Sequence, residues 1–136
     1  MSTYADRYGT VAQRAAELVR KGWDPVDAWQ SVVTSIFPDS RASQTKGCPK
    51  SSFLGLAEGG HIAGVHPGKY TTSVENKRYA LEALRLLQQD GALVRRPDEL
   101  WKRAVKGISI KHNGQMNVVI ALWQAKAFVC QRQLAA

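Results

Sequence analysis

The chain has 136 residues, 44% of them hydrophobic and 22% charged, a composition that excludes general disorder and is large enough for a single domain over 1–136 to bury a core without a disulfide framework or a metal. The formal net charge of +8 is unevenly placed: residues 1–40 carry four basic and five acidic side chains, residues 41–111 thirteen and six, and residues 112–136 two and none. The polar start Met1–Arg7, a longest apolar run of only Val118 to Trp123, and just two cysteines, Cys48 and Cys130, argue against a signal peptide, a membrane span or a disulfide scaffold, and so point to a reducing, cytoplasmic setting with no membrane contact.

The first helix is expected from about Tyr4 to Lys21, with Val11, Ala15, Leu18 and Val19 at helical spacing and Gly22 as a left-handed stop. Asp24-Pro25-Val26-Asp27 opens a second. Asp24 can cap, Pro25 suits the first helical position and Asp27 meets the positive helix end. Its apolar face is Trp29, Val32, Val33 and Ile36, and Pro38 ends it. The short link at Gly22-Trp23 makes the pair a hairpin. Residues 38–47 read as a mobile loop.

A third helix begins near Pro49, carries Phe53, Leu54 and Leu56, and stops at Gly59-Gly60. Residues 61–71 form a turn-rich connection, after which Thr72-Ser73-Val74-Glu75 reads as a capping box. The fourth helix then presents Val74, Leu81, Leu84 and Leu87 inward and closes at Asp90-Gly91. A fifth covers Pro97 to Lys106, with Leu100, Trp101, Ala104 and Val105 inward. The sixth runs from Asn113 past Phe128. It is apolar nearly all round, which predicts the central helix, with Val119, Ile120 and Trp123 largely inaccessible. The fold class is therefore all-α, a compact irregular bundle of about six helices, with room for very short strands at Ala92–Arg95 and Ile108–Ile110.

Three stretches resemble an uncharacterised bacterial family, a domain of unknown function. They are Lys46-Gly47-Cys48-Pro49-Lys50-Ser51-Ser52-Phe53-Leu54-Gly55-Leu56, then Asn76-Lys77-Arg78-Tyr79-Ala80, and Lys111-His112-Asn113-Gly114-Gln115-Met116-Asn117-Val118-Val119-Ile120-Ala121-Leu122-Trp123. The resemblance spans most of the chain and implies no activity.

Several constellations carry chemistry, each with a plainer reading beside it. The third helix, its glycine-rich exit and the fourth helix, which bears Lys77, Arg78 and Arg85, are the pieces of a helix-turn-helix, with Leu86–Asp98 as exit and wing. The connection from Gly59 to Thr72 is long for such a turn, and Glu99–Val105 reads as a helix. Cys48 lies between Lys46 and Lys50 at a helix start, where dipole and ammonium charge stabilise a thiolate. Catalysis would need His61, His66 or His112 beside it, and the plainer reading is a small residue at a cap. Lys111-His112-Asn113-Gly114-Gln115 is a reasonable anion site at a helix start, but Asn113 acting as an ordinary cap explains it more simply. Gly64–Thr71 fails as a phosphate loop, because Ala63 and Tyr70 occupy required positions. His61 and His66 lack the partners of a zinc site, and no metal or cofactor is expected.

The leading expectation is a non-enzymatic protein whose basic centre contacts nucleic acid or another polyanion. Lys46, Lys50, Lys69, Lys77, Arg78, Arg95, Arg96 and Lys111 would meet phosphates, with Cys48, His112, Asn113 and Gln115 as a polar pocket. A protein-interaction module for an acidic partner is the alternative, and a small enzyme using Cys48 and a histidine comes third.

Overall fold

A computed structural model describes the backbone of residues 3–135 and the side chains of residues 7–132. Helix α1 covers Thr3–Arg20 and α2 Pro25–Ile36. Their hairpin is set as the local chemistry dictates. Gly22 has φ 103°, and the Asp24 carboxylate accepts from the N–H groups of Val26 and Asp27 at 3.0 and 3.2 Å. Residues 38–47 are not an open loop. Ser40 caps a short helix α3, Arg41–Thr45, its Oγ accepting from the Ser43 N–H at 3.1 Å. The Gln44 amide donates to the Phe37 carbonyl at 2.7 Å, which pins α3 to the end of α2.

Helix α4 is Gly47–Glu58 and α5 is Val74–Gln89. The two cross very closely: a Cβ on Gly55 would sit 2.8 Å from the Lys77 Cα, so the crossing requires the missing side chain. The cap of α5 is Ser73, one residue later than the capping box implies, with Asn76 rather than Glu75 three residues on. Val74 is thus the first residue of α5, and it is 70% exposed, not part of the inward face. The segment Gly91–Arg95 is a 3-10 turn capped by Asp90, not a strand, and residues 108–110 are irregular. Among the described residues the β-type pairing is one isolated bridge, Ile62 with Phe128. No wing strand therefore follows α5.

Helix α6 is Pro97–Ala104, and α7 is Gln115–Gln124. The last expected helix does not run unbroken past Phe128. Lys126 adopts φ 54°, and a separate short helix α8, Val129–Ala135, follows. Helix α7 packs on α1, α4, α5, α6 and the 3-10 turn, as its apolar sequence demands. Val118, Val119 and Leu122 are fully buried, but Ile120 and Trp123 are only partly covered. Trp29 and Phe53 stack at 5.3 Å inside the same continuous core. The all-α class holds, and no helix among the described residues is long and apolar enough to cross a membrane.

Candidate functional site

Two regions concentrate functional side chains. The first is a polar hub where the start of α7 meets α4 and α5. Gly114, at φ 90°, caps α7 in the left-handed region and lies against Pro49, within 3.6 Å of where its Cβ would stand. This brings the segment after Lys111 against the helix start that holds Cys48. Asn113 does not cap. The Met116 N–H instead donates to His112 Nε2 at 3.0 Å, so the imidazole takes the role of the cap. Gln115, only 2% exposed, spends both ends of its amide inside the chain. Its Oε1 accepts from the Asn113 N–H at 2.6 Å, and its Nε2 donates to Asn76 Oδ1 at 3.1 Å. Asn76 in turn donates to Ser73 Oγ at 3.1 Å. A continuous relay thus ties the cap of α5 to the entrance of α7, drawing on the second and third of the stretches singled out in the sequence, while Pro49 of the first lies against Gly114.

His112 also packs edge-on against Trp101 at 5.1 Å, and Trp101 against Tyr79 at 5.5 Å, while the indole N–H donates to the Ile110 carbonyl at 3.0 Å. His112 stays exposed as a residue, but partial desolvation of its ring pushes its pKa below the ordinary value; Asp98 opposes and Lys46 acts in the same direction. His61 is lowered as well, by burial first and then by Lys77. Cys48 is half-buried as the second residue of α4, and its carbonyl accepts from Ser52 Oγ at 2.9 Å.

The second region is an open groove of about 610 Å³ between α5 and the exit of α6. Val74, Leu81, Val105 and Ile108 give it apolar walls, and Lys77, Arg78, Arg85 and Lys106 stand along it. Ile108, at 64% exposed, and Val74 are two of the most exposed large hydrophobics among the described residues. The two carboxylates present are both engaged. Glu58, 12% exposed, meets Lys77 Nζ at 2.6 Å and accepts from the N–H groups of Tyr70 and Thr71 at 2.8 and 3.1 Å. The Lys77 hydrogen bond and then the two backbone donors lower its pKa to about 2. Glu82 pairs with Arg85. Arg78 and Lys106 have no ion-pair partner among the described residues.

Of the sequence-predicted phosphate contacts, two line the groove, Lys77 and Arg78, but Lys77 is committed to Glu58. Lys46 holds its ammonium 5.4 Å from the centre of the Tyr8 ring, Lys50 is half-buried on α4, and Lys69 and Lys111 are exposed in connections. Arg95 and Arg96 leave from the 3-10 turn, whose neighbours Val94 and Pro97 line a different hollow with Gln13 and Asn117. Sequence reasoning missed Glu58, Lys106 and Ile108. A glutamate ending a helix reads as solvated charge, and an isoleucine between Gly107 and Ser109 carries no periodic signal.

Fold and sites together define an all-α protein with a hydrogen-bonded polar hub beside an amphipathic, basic-rimmed groove. The chain belongs to DUF6979, a family of unknown function, whose match covers residues 5–129. No curated protein and no solved structure was found to match it.

Proposed function

We propose that the chain is a non-enzymatic binding protein whose basic central segment holds a polyanionic partner. The observation supporting this is the distribution of ion pairs. Of the thirteen basic residues in 41–111, only Lys77, Arg85 and Arg103 meet a carboxylate among the described residues, which leaves ten without one. Uncompensated charge of one sign attracts phosphates or acidic protein surfaces. Nucleic acid is the first reading, with Lys46, Lys50, Lys69, Arg78, Arg95, Arg96 and Lys111 meeting backbone phosphates and Lys77 contributing only at the expense of its bond to Glu58. An acidic protein partner is the second, favoured by the exposed Val74 and Ile108, which a phosphate backbone does not use. The side chains of His112 and Gln115 are engaged within the chain, which supports a structural role for the hub over chemistry with Cys48. The thiols of Cys48 and Cys130 are free, as suits a cytoplasmic setting.

Fluorescence anisotropy with labelled duplex DNA and single-stranded RNA tests the first reading. Affinity is expected to fall with salt at a log–log slope of about −0.9 per phosphate neutralised on the duplex. Arg78→Ala, Arg95→Ala and Arg96→Ala together are expected to reduce both affinity and slope. No binding to nucleic acid at about 50 mM salt, where such attraction is strong, removes the first reading and leaves the acidic protein. No binding to nucleic acid or to acidic peptides overturns the anionic partner altogether.

A further inference from the structure

We infer that the groove between α5 and the exit of α6 is a docking site for a short amphipathic helix of another protein, apolar on one face and acidic on its flanks. This rests on the reading of an anionic partner and specifies which one and where it sits.

The shape supports a helix. Groove-lining residues on α5 run from Val74 to Arg85, a span of about 16 Å, or roughly three helical turns. The groove is open along its length, and its 610 Å³ suits a row of inserted side chains. The walls support apolar anchors. Val74 and Ile108 line the groove from α5 and from the turn after α6, both far more exposed than an isolated domain gains from leaving them so. Leu81 and Val105 continue the apolar surface inward.

Charge complementarity sets the sign of the partner. The groove carries four cations against two carboxylates, and each carboxylate is already held by a cation of the groove itself. The remaining charges, Arg78 and Lys106, are positive. Carboxylates of an incoming helix would find the Arg78 guanidinium without competing against an internal ion pair, and the Lys106 ammonium against only the longer-range attraction of Glu82. A basic helix would find no free carboxylate. A phosphate backbone would meet the same two cations but bury nothing against Val74 and Ile108. A peptide anchored there gains from both apolar contact and charge.

The test is selection of peptides of about 14 residues, helix-compatible and otherwise random, from a display library on the whole protein. The expected winners carry large apolar residues at i, i+3 or i+4 and i+7, with Asp or Glu beside them. Their binding, measured by anisotropy with the synthesised winner, is expected to weaken about tenfold or more for Ile108→Asp and for Arg78→Glu. Both residues are exposed, and unchanged circular dichroism and melting confirm that the variants fold. Arg95→Glu, outside the groove, is expected to leave the affinity within about twofold. Winners that are basic, or insensitive to both groove substitutions, overturn the inference. So does a selection with no winners from a protein that binds duplex DNA, which keeps the anionic reading and assigns it to nucleic acid. Failure of peptides and nucleic acid alike defeats both readings.

Discussion

At the start of α7, a histidine does what a serine or aspartate usually does. His112 can accept from the Met116 N–H only while Nε2 is unprotonated, and although the residue keeps an exposed edge, partial desolvation of the ring favours that neutral form. Its folded pKa is lowered, so its contribution to stability is complete above the ordinary histidine pKa near 6.5 and is lost as pH falls through the lowered value. Asp98 works against this desolvation, and Lys46 with it. An NMR titration is expected to place the His112 midpoint below 6.5, with the Met116 amide shift following the same curve. A midpoint at or above 6.5 would show that the imidazole is not the cap. In His112→Phe, the Met116 amide is expected to lose that dependence. None of this was legible in the residue string, where Asn113 has the better capping chemistry. The αL turn at Gly114 decides otherwise, because it directs the imidazole two residues upstream toward the first N–H groups. Gln115 was recognisable as part of a polar string, but its partner Asn76 is 39 residues away and has no local signal.

The elements α4 and α5 are held as a pair by a backbone approach at Gly55 and by one carboxylate. Glu58 binds the end of the turn-rich connection through Tyr70 and Thr71 while gripping Lys77 on α5. Its pKa is lowered to about 2, so the stabilisation is present above the usual carboxylate pKa near 4.5 and disappears as pH falls from there to about 2. Glu58→Gln is expected to cost about 2 kcal/mol at pH 7, since Lys77 loses a charged partner in a half-buried position. Urea unfolding checks this, and the wild type and variant curves should converge near pH 2. An equal difference at pH 7 and pH 2 would show that the carboxylate charge is not what holds the pair. Helices with strong local punctuation were legible: the Asp24-Pro25 start of α2 and the all-round apolar run of α7. The short elements were not. Helix α3 depends on the Gln44 bond back to Phe37, and the 3-10 turn at Gly91–Arg95 occupies a β-branched-containing stretch that suits a strand equally well. The α5 cap falls at Ser73 instead of Thr72, and Val74 at its first position lines the groove instead of the core.

For the molecule as a whole, the ten cations between residues 41 and 111 that form no ion pair among the described residues add to a net positive charge that repels itself more in the folded state than in an expanded chain. Sodium chloride screens that repulsion. Raising it from about 20 to about 300 mM is expected to increase the melting temperature by about 3 °C, the shift that roughly 1 kcal/mol produces in a domain of this size. Scanning calorimetry or circular dichroism measures it. A melting temperature that falls with salt would mean that attractive pairs dominate and that the basic surface is already balanced.

The packing of α1 against α7 has a consequence for synthesis. Gln13 of α1 donates to the carbonyl of Ala121, 108 residues later in the chain, and much of the surface α1 covers belongs to α7. A ribosome adding about 5–20 residues per second takes on the order of ten seconds to make that stretch. For that time the nascent α1–α2 hairpin has one apolar side in place and the other open, a window in which chaperones have access to it and which closes only when the seventh helix clears the exit tunnel.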